Sequence, residues 1–143
     1  MRMIALTALL IAGNVAAGTI ASGCTLQAAD PDILAKTAGG ITLEGGDGNS
    51  EAPLWLGPIH TPACSLEVDL FGGPLAVARD RFLFVVQVSG SQQRVTQYDL
   101  QSCKQRWQSA PLFGQAKLLK DGYQIGKKLV RFGPQCQPAR RGH

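Results

Sequence analysis

The chain has 143 residues, 45% of them hydrophobic and 17% charged, with a net charge of +4 and an isoelectric point near 9.1. This is the composition of a folded globular protein of one small domain; it excludes two domains and a wholly disordered chain. The length also excludes a complete multi-bladed propeller.

An uncharged run follows a single Arg2 and stops at Ala21-Ser22-Gly23-Cys24. A positive start, an apolar stretch and small residues before a cut describe a secretory signal peptide, so residues 1–23 are expected to be removed on export. The strongly apolar part is short for a membrane span, and an uncleaved anchor, which would set Thr7, Asn14, Thr19 and several Gly in lipid, ranks last among the readings. Residues 21–24 resemble the lipobox of bacterial lipoproteins, in which small residues precede a Cys that carries lipid on its thiol. That resemblance implies lipidation of Cys24 and a protein anchored to the membrane of the cell envelope. It departs from the family at Ala21, where Leu is usual. The other reading is an ordinary signal peptide cut near Val15-Ala16-Ala17, with Cys24 left as a disulfide cysteine in a soluble periplasmic or secreted protein.

Residues 24–53 are expected to form a flexible tether, because Gly39-Gly40, Gly45-Gly46 and Asp47-Gly48-Asn49-Ser50 offer little apolar surface to offset the ordering of the backbone. A short helix over 31–36, with Asp30 as its N-cap, is the one element expected within it.

Residues 54–136 are expected to form a mainly β domain, a small antiparallel sheet or half-open barrel built as a meander of five to seven short strands. Leu66, Val68 and Leu70 alternate with Glu67 and Asp69, and a second apolar run covers 75–78. Residues 82–86 are apolar on both faces and are expected to be the central strand, with Phe82, Phe84 and Val86 on one buried face beside Trp107. Gly90-Ser91 marks a turn, 95–100 a returning strand, and Gln101-Ser102-Cys103 a turn into a strand near 105–108. Asp121-Gly122 is a hairpin signal before 123–125, with 129–132 beyond it as a last strand and a helix over 127–132 as the alternative if Gly126 ends the strand before it. Residues 137–143 are expected to be a disordered basic tail.

The segment 80–109, with its apolar strand, polar turn, Tyr98-Asp99-Leu100 and Trp107, resembles one blade of a quinoprotein-type β-propeller. Ser102-Cys103 stands where that family has Thr-Gly. The resemblance implies a three-stranded meander; the length excludes a complete propeller and its cofactor site.

Charge is divided along the chain. Residues 24–103 carry four Lys or Arg against nine Asp or Glu, whereas residues 104–143 carry nine against one. Lys104, Arg106, Lys117, Lys120, Lys127, Lys128 and Arg131 are therefore expected to meet an anionic partner, either an envelope protein or an anionic lipid surface. Nucleic acid is disfavoured by export.

The sequence contains no nucleophile elbow, His-Glu-x-x-His, Walker loop or dinucleotide fingerprint. His60 lies four residues from Cys64 on a Pro-broken loop, which gives no reason for the two side chains to meet. The expectation is a protein without catalytic residues, metal or cofactor, acting as an envelope scaffold or accessory factor of an assembly, secretion or conjugation system. The alternative is a disulfide-stapled binding module, an inhibitor or a ligand-binding domain. No pair of cysteines has redox or zinc spacing. Simple meander geometry puts Cys64 and Cys103 at one end of the sheet as a disulfide, with Cys136 free or joined to another chain.

Overall fold

The structure is a computed structural model and describes residues 23–29, 42–43, 54–61, 63 and 65–139. The expected signal peptide through residue 22, the helix over 31–36, Cys64 and the last four residues lie outside the described residues. The described chain is mainly β and antiparallel, with no helix among the described residues and no closure into a barrel.

The strands, in chain order, are β1 (Gln27–Ala29), β2 (Thr42–Leu43), β3 (Leu54–Leu56), β4 (Ile59–His60), β5 (Ser65–Leu66), β6 (Leu70–Ala78), β7 (Phe82–Ser89), β8 (Gln92–Asp99), β9 (Lys104–Gln108), β10 (Ala116–Leu119), β11 (Gly122–Ile125) and β12 (Lys128–Arg131). The main sheet runs β1-β6-β7-β8-β9, with β3 also on β6; two three-stranded sheets, β10-β11-β12 and β2-β4-β5, complete the fold.

β7 is the central strand because its side chains are apolar on both faces of the pleat. Phe82, Phe84 and Val86 enter one core, together with Tyr123, Ile125 and Phe132 from the β10-β11-β12 side and a half-buried Trp107. Leu83 and Val85 enter a second core with Ile59, Leu66 and Val68. The main sheet is thus covered by apolar residues on both faces. The expected alternation at 66–69 holds in burial, with Leu66 and Val68 inside and Glu67 and Asp69 exposed, but not as one strand over 66–70: β5 ends at Leu66, 67–69 are irregular, and a half-buried Leu70 opens β6.

Each hairpin turn has a local cause. Gly90 takes φ 61 between Ser89 and Gln92, a conformation that costs glycine little. After β8, Asp99 Oδ1 accepts from the Gln101 and Ser102 N–H groups, and Cys103 closes the turn at φ 62. The β10–β11 turn is Lys120-Asp121, one residue earlier than the expected Asp121-Gly122. Gly122 lies in the strand, where a Cβ would sit 1.9 Å from the Val130 carbonyl oxygen.

Four expectations are corrected. The first residues of the expected tether are structured instead: Gln27 to Ala29 pair with Val77 to Leu75 on β6, and Cys24 and Leu26 are buried in the first core, while 30–41 and 44–53 lie outside the described residues. A strand edge needed a partner, and that pairing offsets the ordering cost. Second, the alternative of a helix over 127–132 falls, because the last strand expected there is present as 128–131 and continues the β10–β11 ladder. Third, β3 to β12 exceed the expected five to seven strands, since two- and three-residue strands leave no periodic pattern. Fourth, residues 137–139 are ordered: the Ala139 N–H donates to the Arg131 carbonyl, and Gly133 N–H to that of Gln137.

The disulfide arrangement also differs. Cys136 is neither free nor intermolecular but bonded to Cys24, with Cα atoms 4.9 Å apart and both residues buried. A single meander does not describe the chain after β9, which crosses to the second sheet and returns over the main one. There the Cys136 carbonyl accepts from Gln97 Nε2 at 2.8 Å. Cys103 is disulfide-bonded, and no described cysteine is free.

Candidate functional site

Two sheet edges flank a cleft on one side of the molecule. β9 is the last strand of the main sheet, and β12 is the last of the β10-β11-β12 sheet. Between them is a cavity of about 560 Å³, within the range of ligand pockets. One wall comes from Trp107, Ser109, Ala110 and Leu112; the other comes from residues 127–131 with Pro138 and Ala139.

The walls are fixed by core packing. The Trp107 indole meets the Phe132 ring edge-on at 5.4 Å, and Phe132 in turn packs on Phe84 at 4.8 Å. Leu112 is pinned by a reciprocal backbone pair with Gln93 at 2.8 Å each way. Pro138 and Ala139 lie along the outer side of β12 through the Phe132 bridge and the Arg131 carbonyl. Leu129 remains 47% exposed on this wall, with Leu56 and Phe113 one of three exposed large apolar side chains among the described residues.

The seven cations expected to meet an anionic partner are separated by the fold. Lys127, Lys128 and Arg131 line the cleft. Lys104 and Arg106 are on β9, Lys117 is on β10, and Lys120 is in the following turn. The Arg106 guanidinium stands 4.5 Å from the centre of the Phe82 ring, a cation–π contact. Arg131 forms an exposed ion pair with Asp121 at 3.1 Å, whereas Lys127 and Lys128 have no acidic partner among the described residues. The cleft thus joins an apolar wall to two uncompensated ammonium groups, an arrangement that suits a partly apolar anion.

Other polar groups are engaged elsewhere. Arg81 donates to both Asp99 oxygens, the shortest contact being 2.9 Å, and this holds the Asp99 carboxyl below its ordinary range while raising Arg81. Burial pushes the Tyr123 phenol far up, and its hydroxyl donates to the Pro74 carbonyl. Burial likewise raises the Tyr98 phenol, partly offset by a hydrogen bond from Gln87. His60 Nδ1 lies 2.8 Å from Ser65 Oγ across the β4–β5 ladder, away from the residues that line the cleft. Cys64, the other residue considered beside His60, is outside the described residues, as is the Cys64 half of the expected bridge to Cys103. No group of three or more His, Cys, Asp or Glu residues suited to a metal occurs among the described residues.

Sequence reasoning missed the apolar half of the site. Trp107 is expected only as a core residue, and Pro138 and Ala139 only as tail. The available signal is Leu129-Val130 between Lys128 and Arg131, an apolar pair framed by cations. No protein family, curated protein or solved structure matches the chain.

Proposed function

We propose that the chain is an exported, non-enzymatic binding domain, stapled by disulfides and soluble in the periplasm or outside the cell, that takes an anionic partner in the β9–β12 cleft. The observation that carries this reading is the Cys24–Cys136 bridge, buried at both ends and spanning 112 residues of sequence. A disulfide of this kind persists in an oxidising compartment, which agrees with the signal-like start of the chain. One sulfur has a single valence to give, so a Cys24 held in this bridge is unavailable for a thioether-linked lipid.

The second reading, a lipidated envelope scaffold, keeps the support of Ala21-Ser22-Gly23 before Cys24. The intact mass of the mature protein separates the two. The stapled domain should begin upstream of Cys24, near Gly18, and gain only the hydrogens of its bridges on reduction. A mature chain that begins at Cys24 with added acyl mass would sink the proposal.

A further inference from the structure

Hydrogen-bond direction alternates along an antiparallel strand, so each cleft wall presents main-chain groups as well as side chains. Ser109 N–H donates to the Val95 carbonyl, toward β8, which turns the backbone of Gln108 outward. On the opposite wall the Arg131 carbonyl faces away from β11 to accept from Ala139, and Leu129, two residues earlier, faces the same way. The Arg131 end of β12 is therefore occupied by the chain's own residues. Among the described residues β9 is the longer open edge, with five residues giving roughly 17 Å of strand and a register shift against β8 at Arg106.

Three observations choose the occupant. The wall opposite β9 carries Lys127 and Lys128, which have no acidic partner among the described residues, and this calls for negative charge. The apolar surfaces, Trp107 and Leu129, are in a concave cleft and not on a projecting loop, so a flat bilayer does not reach them together. A second copy pairing through β9 would place Lys104 and Arg106 of the two strands near one another, and facing like charges oppose such pairing. What remains is a strand with carboxylates.

On the reading of the cleft as the binding site, we propose that it takes an extended acidic peptide, added as a strand to the outer edge of β9. Its carboxylates meet Lys127 and Lys128, and its alternate apolar side chains rest on Trp107 and Leu129. Main-chain pairing supplies affinity, and the alternation of the two walls supplies selectivity.

The test uses the mature, disulfide-bonded chain and a fluorescent hexapeptide of alternating glutamate and valine. Binding should be saturable, should shift the Trp107 indole and the amides of 104–109 and 128–131 in NMR spectra, and should weaken about tenfold in the double variant Lys127→Glu, Lys128→Glu. A peptide N-methylated at alternate amides should lose binding by a similar factor, since it cannot complete the ladder. Phosphatidylglycerol vesicles should not compete. Four outcomes would overturn the proposal: no saturable binding, indifference to N-methylation, displacement by the vesicles, or a dimer that shields the β9 amides. The mass measurement on Cys24 is independent of all four, so loss of this inference leaves the stapled-domain reading standing.

Discussion

Replacing both Cys24 and Cys136 by Ser tests the bond on which the functional reading rests. The bridge closes 112 residues, and the chain-entropy relation then gives about 16 cal/mol/K, or about 4.8 kcal/mol at room temperature. The Cys103 disulfide already restrains part of the unfolded chain, so the loss should be smaller, about 3 to 4 kcal/mol. At about 4 °C per kcal/mol for a domain of this size, the midpoint of thermal unfolding should fall by about 12 to 16 °C. The double variant is needed because Cys24→Ser alone leaves an unpaired thiol in the core. Circular dichroism melts without reductant, with denaturant titration as a check on two-state behaviour, give the number. A loss below about 1 kcal/mol would show that the bond is not formed in the mature protein, and the stapled-domain reading would fall with it.

Phe84→Ala should cost about 3 to 5 kcal/mol in denaturant unfolding, because the ring is fully buried against Phe132; a cost near 1 kcal/mol would place β7 at an edge. Gly122→Ala should cost at least about 2 kcal/mol and loosen β12, since the new methyl meets the Val130 carbonyl at 1.9 Å; a wild-type melting curve would refute the close approach. Asp99→Asn tests the lowered carboxyl. The charged form is favoured in the fold, so its stabilisation is present above the ordinary value of about 3.8 and fades as pH falls through the lowered one. The wild-type stability curve should therefore drop more steeply with acid than that of the variant, and parallel curves would remove Arg81 as the cause.

The β7–β9 meander was legible because each strand carries its own signal, a run apolar on both faces for β7 and turn residues at Gly90-Ser91 and Asp99; of β6 only the apolar run 75–78 showed, since Gly72-Gly73-Pro74 interrupts its pattern. β1 was not legible. Gln27-Ala28-Ala29 has neither β-branched nor aromatic residues, and its strand character comes from Val77, Ala76 and Leu75, about fifty residues away. Periodicity reports only local geometry, so a strand made by a distant edge leaves no trace in its own residues. The site divides in the same way. That the last forty residues are basic could be counted. Which cations converge could not, because Lys127, Lys128 and Arg131 belong to one hairpin, whereas the Trp107 wall is set by packing across the core onto Phe132.

Cysteine parity gains weight from the fold. Four cysteines pair evenly only if Cys24 is a structural residue, and a simple meander leaves Cys136 over because it keeps the whole chain in one sheet. With β10-β11-β12 stacked on the main sheet across the first core, the C-terminal segment passes over Gln97 and reaches the layer where Leu26 is buried. Cys24, two residues before Leu26, is brought there by the β1–β6 pairing and by the Leu26 N–H donating to the Lys120 carbonyl at 2.8 Å. The two sulfurs are thus delivered to one place by backbone pairing on both sides. A lipid on Cys24 would leave the buried Cys136 thiol unpaired and draw the residue at the head of β1 out of the core. An anchored form of this protein would therefore need a different arrangement of β1, which protection of the Gln27, Ala28 and Ala29 amides from hydrogen exchange would register.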